Sequence, residues 1–177
     1  MEYTLEHVIP LLQNTPTVIR SMAEELDETW TRATEGPKTW SLFDIVGHLI
    51  HCEEDDWIPR LQIILGNGES KKFKKLDRFA HIEKSKGFTI DDLLIRFVSR
   101  RAANLETLRN LNLTPDKLAM KGVHPTFGIV TAAELLSAWV VHDLDHIAQM
   151  SRVLAHQFRN TVGPWKAYMP ILGEHDK

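Results

Sequence analysis

Two histidines, His142 and His146, lie four residues apart in the segment with the clearest helical periodicity. Residues four apart share one face of a helix about 6 Å from each other, so both imidazoles can bind one metal ion. They fall on the apolar seam expected to face the core, which contains Leu135, Trp139, His142, His146, Gln149 and Val153. Burying an imidazole without a partner costs on the order of 1–3 kcal/mol. The pair therefore predicts either a bound metal or hydrogen bonds to buried acids or waters.

Candidates for a third ligand lie upstream, where His48, His51 and Cys52 occur in another helical segment. His48 and Cys52 lie within about 60° of Ile45 on the helical wheel. The densest apolar stripe passes through Leu42, Ile45, Val46 and Leu49, so His48 lies at its edge and periodicity alone does not select it. Cys52 could be a fourth ligand, although a small buried thiol suits its position better. His51, beside Asp55, is expected at the surface.

Four helices are predicted to position these side chains, and period-two alternation typical of strands is not evident. Their approximate ranges are 4–30, 41–65, 89–110 and 131–156. Capping-box patterns mark three of the starts, at Ser41, Thr89 and Thr131. Pro16 indicates a restart within the first helix, and Pro59 should kink or divide the second. The fold class predicted is an all-α, antiparallel four-helix bundle with one long crossover loop.

Two long connections join these helices. Residues 67–88 contain seven basic side chains and few apolar anchors, which predicts an exposed connection, and less favourably an anion-binding patch. The loop 111–130 contains prolines and glycines together with His124. His124 could approach the open side of a metal, although an ordinary loop histidine is the better expectation. The remaining histidines, His7, His81, His156 and His175, are expected at the surface.

The overall composition restricts the function classes. A chain of 177 residues with 43% hydrophobic and 25% charged residues fits one globular domain spanning 1–177. The net charge of −3 gives no basic field for nucleic acid or anionic lipid. The single cysteine excludes an intramolecular disulfide and CxxC metal sites. With no signal peptide or membrane-length apolar run, a cytoplasmic protein is expected.

Two motifs resemble those of one known family. The segment from Trp40-Ser41 to His48, followed by Glu53 and Trp57, resembles the second-helix motif of the DinB-like (YfiT-like) superfamily, to which metal-dependent enzyme activity is attributed. The segment from His142 to Gln149 resembles its HDxxHxxQ signature. The two motifs stand in the family's order, about 90 residues apart, and the resemblance covers nearly the whole chain.

The resemblance implies a four-helix bundle with a metal triad of His48, His142 and His146. The rest of the coordination sphere would be water or substrate, as in open catalytic sites. Three neutral imidazoles suit one divalent transition metal such as zinc, nickel or iron. Such an ion acidifies water or ionises a thiol, so the expected activity is small-molecule hydrolysis or transfer of a low-molecular-weight thiol. A homodimer is also expected from the family and from apolar positions such as Phe97.

Several further residues are candidates for supporting roles. Asp143, Asp145 and Gln149 are close enough in sequence to orient the ligands. Gln149 is nearest the ligand direction, whereas each aspartate fits a solvated or inter-helix role equally well. Four tryptophans could wall a substrate pocket, although helical spacing more often places them in the core: Trp40, Trp57, Trp139 and Trp165. The alternative function is a non-catalytic metal- or ligand-binding stress protein whose metal is structural.

Overall fold

A computed structural model describes residues 5–67 and 72–173 of the chain. The helices in these residues are α1 (Leu5–Ala23), α2 (Glu28–Thr31), α3 (Leu42–Asp55), α4 (Trp57–Asn67), α5 (Ala80–Lys84), α6 (Ile90–Asn110), α7 (Pro115–Leu118) and α8 (Ala132–Gln157). A short hairpin pairs β1 (Lys121–His124) with β2 (Gly128–Thr131), and two 3-10 helices follow α8, at Gly163–Tyr168 and Pro170–Leu172. The predicted four-helix bundle is confirmed, formed by α1, the α3–α4 pair, α6 and α8.

The three predicted capping boxes are present at the starts of α3, α6 and α8. In each, the cap hydroxyl accepts the amide of the residue three positions later, whose carboxylate accepts the cap amide. These reciprocal bonds pair amides that a helix start otherwise leaves unsatisfied. Local sequence therefore determines where the helices that carry the histidines begin.

The second predicted helix is divided into α3 and α4 at Asp56. Pro59 has no amide to donate to the carbonyl of Asp55, and its ring crowds that carbonyl. The division predicted from Pro59 is thus confirmed, and the helix ends one turn before the proline because that is where the lost hydrogen bond lies.

The first helix differs from its prediction, because α1 runs without interruption through Pro10 and Pro16. The expected restart at Pro16 is wrong. Its buried face, which includes Leu12 and Ile19, packs along both α6 and α8. This continuous packing compensates for the amide hydrogen bonds that the two prolines remove. The predicted capping residue Thr4 lies outside the described residues.

The order of the helices around the bundle gives parallel as well as antiparallel neighbours, where the sequence predicted an antiparallel bundle. Around its perimeter, α1 packs on α6, α6 on α3, α3 on α8 and α8 on α1. One apolar cluster joins the start of α1 to the end of α6, and a second joins the end of α1 to the start of α6. The same clusters show that α3–α8 is also an antiparallel pair, whereas α3–α6 and α1–α8 are parallel. Phe97 is fully buried in the second cluster. It is therefore not available as a dimer contact, contrary to the expectation from the sequence.

This order makes the connection between α4 and α6 the long crossover, since it must return along the bundle. The expectation that 67–88 is simply exposed is wrong for its described part. Phe73 is buried against the first cluster, and His81 of α5 is fully buried against α3. The basic residues Lys72, Lys74, Lys75 and Lys86 are exposed, as solvated charges prefer, while Lys71 lies outside the described residues.

The predicted loop 111–130 contains α7 and the β1–β2 hairpin, which period-two alternation did not indicate. Four-residue strands are too short for a clear alternating pattern. Phe73 donates its amide to the Val123 carbonyl, which attaches the crossover to the hairpin. Among the described helices, none has the length and apolar character needed to cross a membrane.

Gly122 provides a test of this hairpin packing. A Cβ at this position would lie 2.8 Å from Ile64 Cγ1 and 2.8 Å from Phe73 Cε1, both on buried side chains. We expect Gly122→Ala to lower the free energy of unfolding by about 1–3 kcal/mol through overpacking. Gly66→Ala is the control, because a Cβ there meets nothing within 4 Å and should be neutral or stabilising by up to about 1 kcal/mol. Urea unfolding measures both, and equal stabilities would contradict the close packing.

Candidate metal centre

The structure brings His48 of α3 together with His142 and His146 of α8. His48 Nε2 lies 3.3 Å from His142 Nε2, which lies 3.2 Å from His146 Nε2. One ligand atom from each of the three histidines lies within 4.8 Å of the others. His48 and His146 are buried and His142 is partly exposed. The periodicity of α8 places two of these rings on one face, and packing of α3 against α8 supplies the third.

The spacing of the three imidazoles fits a metal ion. Two nitrogens bound to a tetrahedral zinc at about 2.0–2.1 Å lie about 3.3–3.4 Å apart, which matches the two Nε2–Nε2 distances. Nδ1 of His48 and Nδ1 of His142 are buried without a hydrogen-bond partner among the described residues. A metal on the converging Nε2 atoms would hold both rings in the tautomer with the proton on Nδ1, so these two buried N–H groups stay without a described acceptor whether or not an ion is bound.

Burial makes these rings neutral ligands. Desolvation, followed by the neighbouring histidines, lowers the pKa of His48 to about 2. Desolvation and His146 lower the pKa of His142 to about 3, and desolvation lowers the pKa of His146 despite its hydrogen bond to Gln149. Metal binding requires the unprotonated imidazole. The cluster is therefore ready to accept a cation without first losing protons at neutral pH.

The three candidate orienting residues have different surroundings. Gln149 Oε1 lies 2.8 Å from His146 Nδ1, so the amide oxygen can accept that N–H and leave Nε2 facing the cluster. Asp143 is buried, but its carboxylate is bound by Arg101. Asp145 is exposed. Of the three, only Gln149 has a described hydrogen bond to a triad histidine.

Aromatic side chains surround the triad. The ring centroid of half-buried Trp40 lies 4.7 Å from that of His48 and 6.0 Å from that of His146. Trp57 is buried, meets His142 edge-on at 5.1 Å, and stacks on Trp139 at 5.8 Å. These tryptophans thus serve both the core and the wall of the site, whereas Trp165 is 66% exposed in the C-terminal segment.

Two histidines expected at the surface are buried instead, and both expectations are wrong. His51 Nε2 lies 3.0 Å from the Asp77 carbonyl, and His81 Nδ1 lies 3.0 Å from the Arg78 carbonyl. The ring of His81 lies 5.5 Å from that of His48. Both are covered because the crossover folds back over α3, a long-range arrangement that helical periodicity does not report.

A close approach at Gly47 allows α5 to cover α3 beside the triad. A Cβ at Gly47 would lie 2.5 Å from Ser85 Oγ, so a larger residue there would require the Ser85 hydroxyl to move. Of the other histidines, His7 is exposed and His156 half-buried, while His175 lies outside the described residues. His124 Nδ1 accepts the amides of Thr126 and Phe127, which makes it a turn residue of the hairpin.

A buried ion network under the triad was not predicted from the sequence. Arg101 of α6 donates to Asp143 at 2.6 and 3.1 Å, to Glu53 at 2.8 Å and to the Leu12 carbonyl at 2.7 Å. Glu53 also accepts hydrogen bonds from Trp139 Nε1 and from the Asn104 amide. Burial raises the pKa of Glu53, and Arg101 opposes that shift. Arg101 lies four residues after Phe97 and four before Leu105. In the sequence, this cation on an apolar helix face is the feature that could have indicated the buried network.

The helical bundle and its three converging imidazoles place this chain in the class of bundle proteins that carry a candidate metal site. Residues 11–150 match the family model of the DinB superfamily. Because this match covers most of the chain, the protein belongs to the DinB superfamily. The resemblance noted in the two sequence motifs is thereby confirmed.

Solved structures agree with the fold. The chain is similar to YfiT from Bacillus subtilis, described as a probable metal-dependent hydrolase with an unusual four-helix bundle topology, at 21% identity and a TM-score of 0.76. That similarity covers 88% of this chain and 90% of YfiT. TT2238, a four-helix bundle protein, has 17% identity and a TM-score of 0.59 over 84% of this chain and 98% of its own. No curated protein matches the sequence.

Arg101→Met tests the buried network. Removing the guanidinium leaves Glu53 and Asp143 buried without their cation, which should lower the free energy of unfolding by about 3–5 kcal/mol. Arg100→Met is the control, since Arg100 is exposed and its 3.3 Å pairing with Glu54 should contribute less than about 1 kcal/mol. Urea unfolding measures both, and a small loss for Arg101→Met would contradict its role.

A second test uses the lowered pKa values in metal-free protein. Below the unfolded-state pKa of 6.5, the unfolded chain binds protons at His48 and His142 that the folded chain does not. Stability should therefore be full above about pH 6.5 and fall as the pH decreases, by up to about 1.4 kcal/mol per pH unit for each histidine. Chemical denaturation with a chelator between about pH 7.5 and pH 5 measures this slope. His142→Gln should reduce it, and equal slopes would contradict the assignment.

Proposed function

We propose that this protein is a metal-dependent hydrolase whose centre is held by His48, His142 and His146. The observation that carries the proposal is the convergence of three imidazole nitrogens within 4.8 Å of one another. Three neutral ligands leave a divalent ion its full charge and at least one position for water or substrate. A bound ion of this kind supplies Lewis acidity that generates a nucleophile at neutral pH.

The chain's own residues would position the ligands and limit solvent access. Gln149 holds the His146 ring through Nδ1, which keeps Nε2 directed into the cluster. Trp40 packs against His48 and Trp57 packs against His142, and both rings reduce the access of water to these ligands. A dry surround strengthens the interaction of the centre with charge that develops in a reacting group.

The entrance for a small-molecule substrate is proposed beside His142, the ligand with an exposed surface. The half-buried Trp40, which lies against the other two ligands, His48 and His146, meets Phe79 edge-on at 6.3 Å, and Phe79 is 61% exposed. These two rings offer an apolar surface next to a polar centre, the usual combination in small-molecule sites. The description of YfiT as a probable metal-dependent hydrolase supports the same reaction class here.

A second candidate is a structural metal in a non-catalytic protein. The observation that favours it is the depth of the site, since His48 is 4% and His146 8% exposed. A structural ion would add its binding free energy to folding stability. Chelation would then lower the melting temperature strongly, while hydrolytic turnover would be absent.

The triad is tested by His48→Ala, His142→Ala and His146→Ala. Each removes one of three ligands, so we expect metal content and affinity for Zn²⁺ to fall by about 10- to 100-fold or more. His124→Ala is the matched control, because that histidine bonds the hairpin turn. Metal analysis and titration measure the effect, and full metal retention in the triad variants would refute the site.

Turnover is tested on metal-loaded wild-type protein with panels of esters, amides and thiol–electrophile pairs. Hydrolysis that is lost in His142→Ala and kept in His124→Ala supports the hydrolase. Activity only with a low-molecular-weight thiol and an electrophile would replace hydrolysis by thiol transfer. Metal binding with no turnover and a large drop in melting temperature on chelation would establish the structural alternative.

A further inference from the structure

One arginine of the crossover lies beside the triad without a partner for its charge. Arg78 is exposed and stands just before α5. Within residues 5–67 and 72–173, its guanidinium forms no hydrogen bond or ion pair. A guanidinium carries five N–H donors and a permanent positive charge, so this side chain is free to bind an anion.

The backbone at Arg78 is held against the wall of the site. Its carbonyl accepts a hydrogen bond from Nδ1 of the fully buried His81 at 3.0 Å, and the His81 ring lies 5.5 Å from the ring of His48. The next residue, Phe79, places its ring edge-on to Trp40 at 6.3 Å. The start of the Arg78 side chain is therefore fixed next to the residues that cover the triad.

The charge of Arg78 acts on two of the three candidate ligands. Burial is the largest cause that lowers the pKa values of His142 and His146, and the positive charge of Arg78 lowers both pKa values further. The same charge repels a divalent cation bound between these rings. An anion that pairs with Arg78 would remove this repulsion and fill the space between the two positive charges.

The acidic side chains of this region do not neutralise Arg78. The carboxylate of Asp143 is bound within the buried network, and Asp77 Oδ1 accepts the amide of Phe79 at 3.0 Å. Asp145 is exposed and forms no ion pair with Arg78 in the part of the chain that the structure describes. The anion that pairs with Arg78 must therefore come from outside the chain.

Packing leaves a ligand one direction of approach to the triad. The thiol of Cys52 is 1% exposed and lies 3.5 Å from His48 Nε2, and Trp57 is 6% exposed, so core residues close the inner side of the cluster. Of the three ligands, only His142 keeps an exposed surface. A molecule that reaches His142 enters the region where the charge of Arg78 acts.

We propose that Arg78 binds an anionic oxygen group of the substrate, a carboxylate or a phosphate, while the reacting group of the same molecule meets the triad. This inference rests on the proposed hydrolase and names the charge of its substrate. The planar guanidinium fork matches the oxygens of both groups. Its positive charge also raises the local concentration of anions at the entrance.

Hydroxamic acids, which bind zinc through their own oxygens, probe this pairing in the zinc-loaded full-length protein. Calorimetry compares neutral acetohydroxamate with hydroxamates that carry a carboxylate or a phosphonate at the end of a short alkyl chain. Arg78→Gln removes the charge, and Arg78→Lys keeps the charge without the fork. Lys75→Gln is the matched control, because Lys75 is an exposed cation of the same crossover. Circular dichroism and zinc titration check that each variant is folded and loaded.

We expect the wild type and Lys75→Gln to bind an anionic hydroxamate about 10-fold more tightly than acetohydroxamate. In Arg78→Gln the ratio of the two affinities should fall to about 1, and Arg78→Lys should keep part of the preference. The tighter of the carboxylate and phosphonate probes identifies the group that Arg78 takes.

Two results would overturn the role of Arg78 and leave the triad intact. One is zinc-loaded wild type that binds neutral and anionic hydroxamates equally, and the other is a preference that persists unchanged in Arg78→Gln. A wild-type protein that binds neither zinc nor any hydroxamate would instead refute the metal centre, and this inference with it.

Discussion

One buried guanidinium joins all four bundle helices. Arg101 of α6 binds the Leu12 carbonyl of α1, Glu53 of α3 and Asp143 of α8. Moving three charges out of water is expensive, so the network persists only where every partner is held in place. Because Asp143 directly follows His142 in the chain, the network also sets the register of α8 against α3, and therefore whether His142 meets His48.

The polar residues form a layer between two apolar clusters. One cluster contains Trp57, Trp139 and the starts of α1 and α8, and the other contains Phe97, Met150 and the start of α3. The imidazoles and the Arg101 network lie between them. Apolar packing on both sides excludes water, which lowers the histidine pKa values and strengthens interactions within the layer. The surroundings that stabilise the bundle thus also prepare the candidate metal centre.

The parallel pairing of α3 with α6 requires a connection that returns along the bundle. That connection places α5 over α3, where Gly47 permits close contact with Ser85 and where His81 is buried beside His48. A segment rich in lysine therefore covers one wall of the site, with its described lysines exposed and Lys84 paired with Asp55. Function and topology are linked here because the crossover is both a chain connection and part of the enclosure.

The sequence alone determined the local features. Capping boxes at Ser41, Thr89 and Thr131 set the helix starts, Pro59 divided a helix, and the four-residue spacing placed His142 and His146 together. These depend on neighbours within one or two turns. Only tertiary structure decided the rest: that His48 rather than His51 faces the pair, that His51 and His81 are buried, and that Arg101 pairs across helices. Those outcomes depend on which helix faces pack together, and residues far apart in the chain determine that packing.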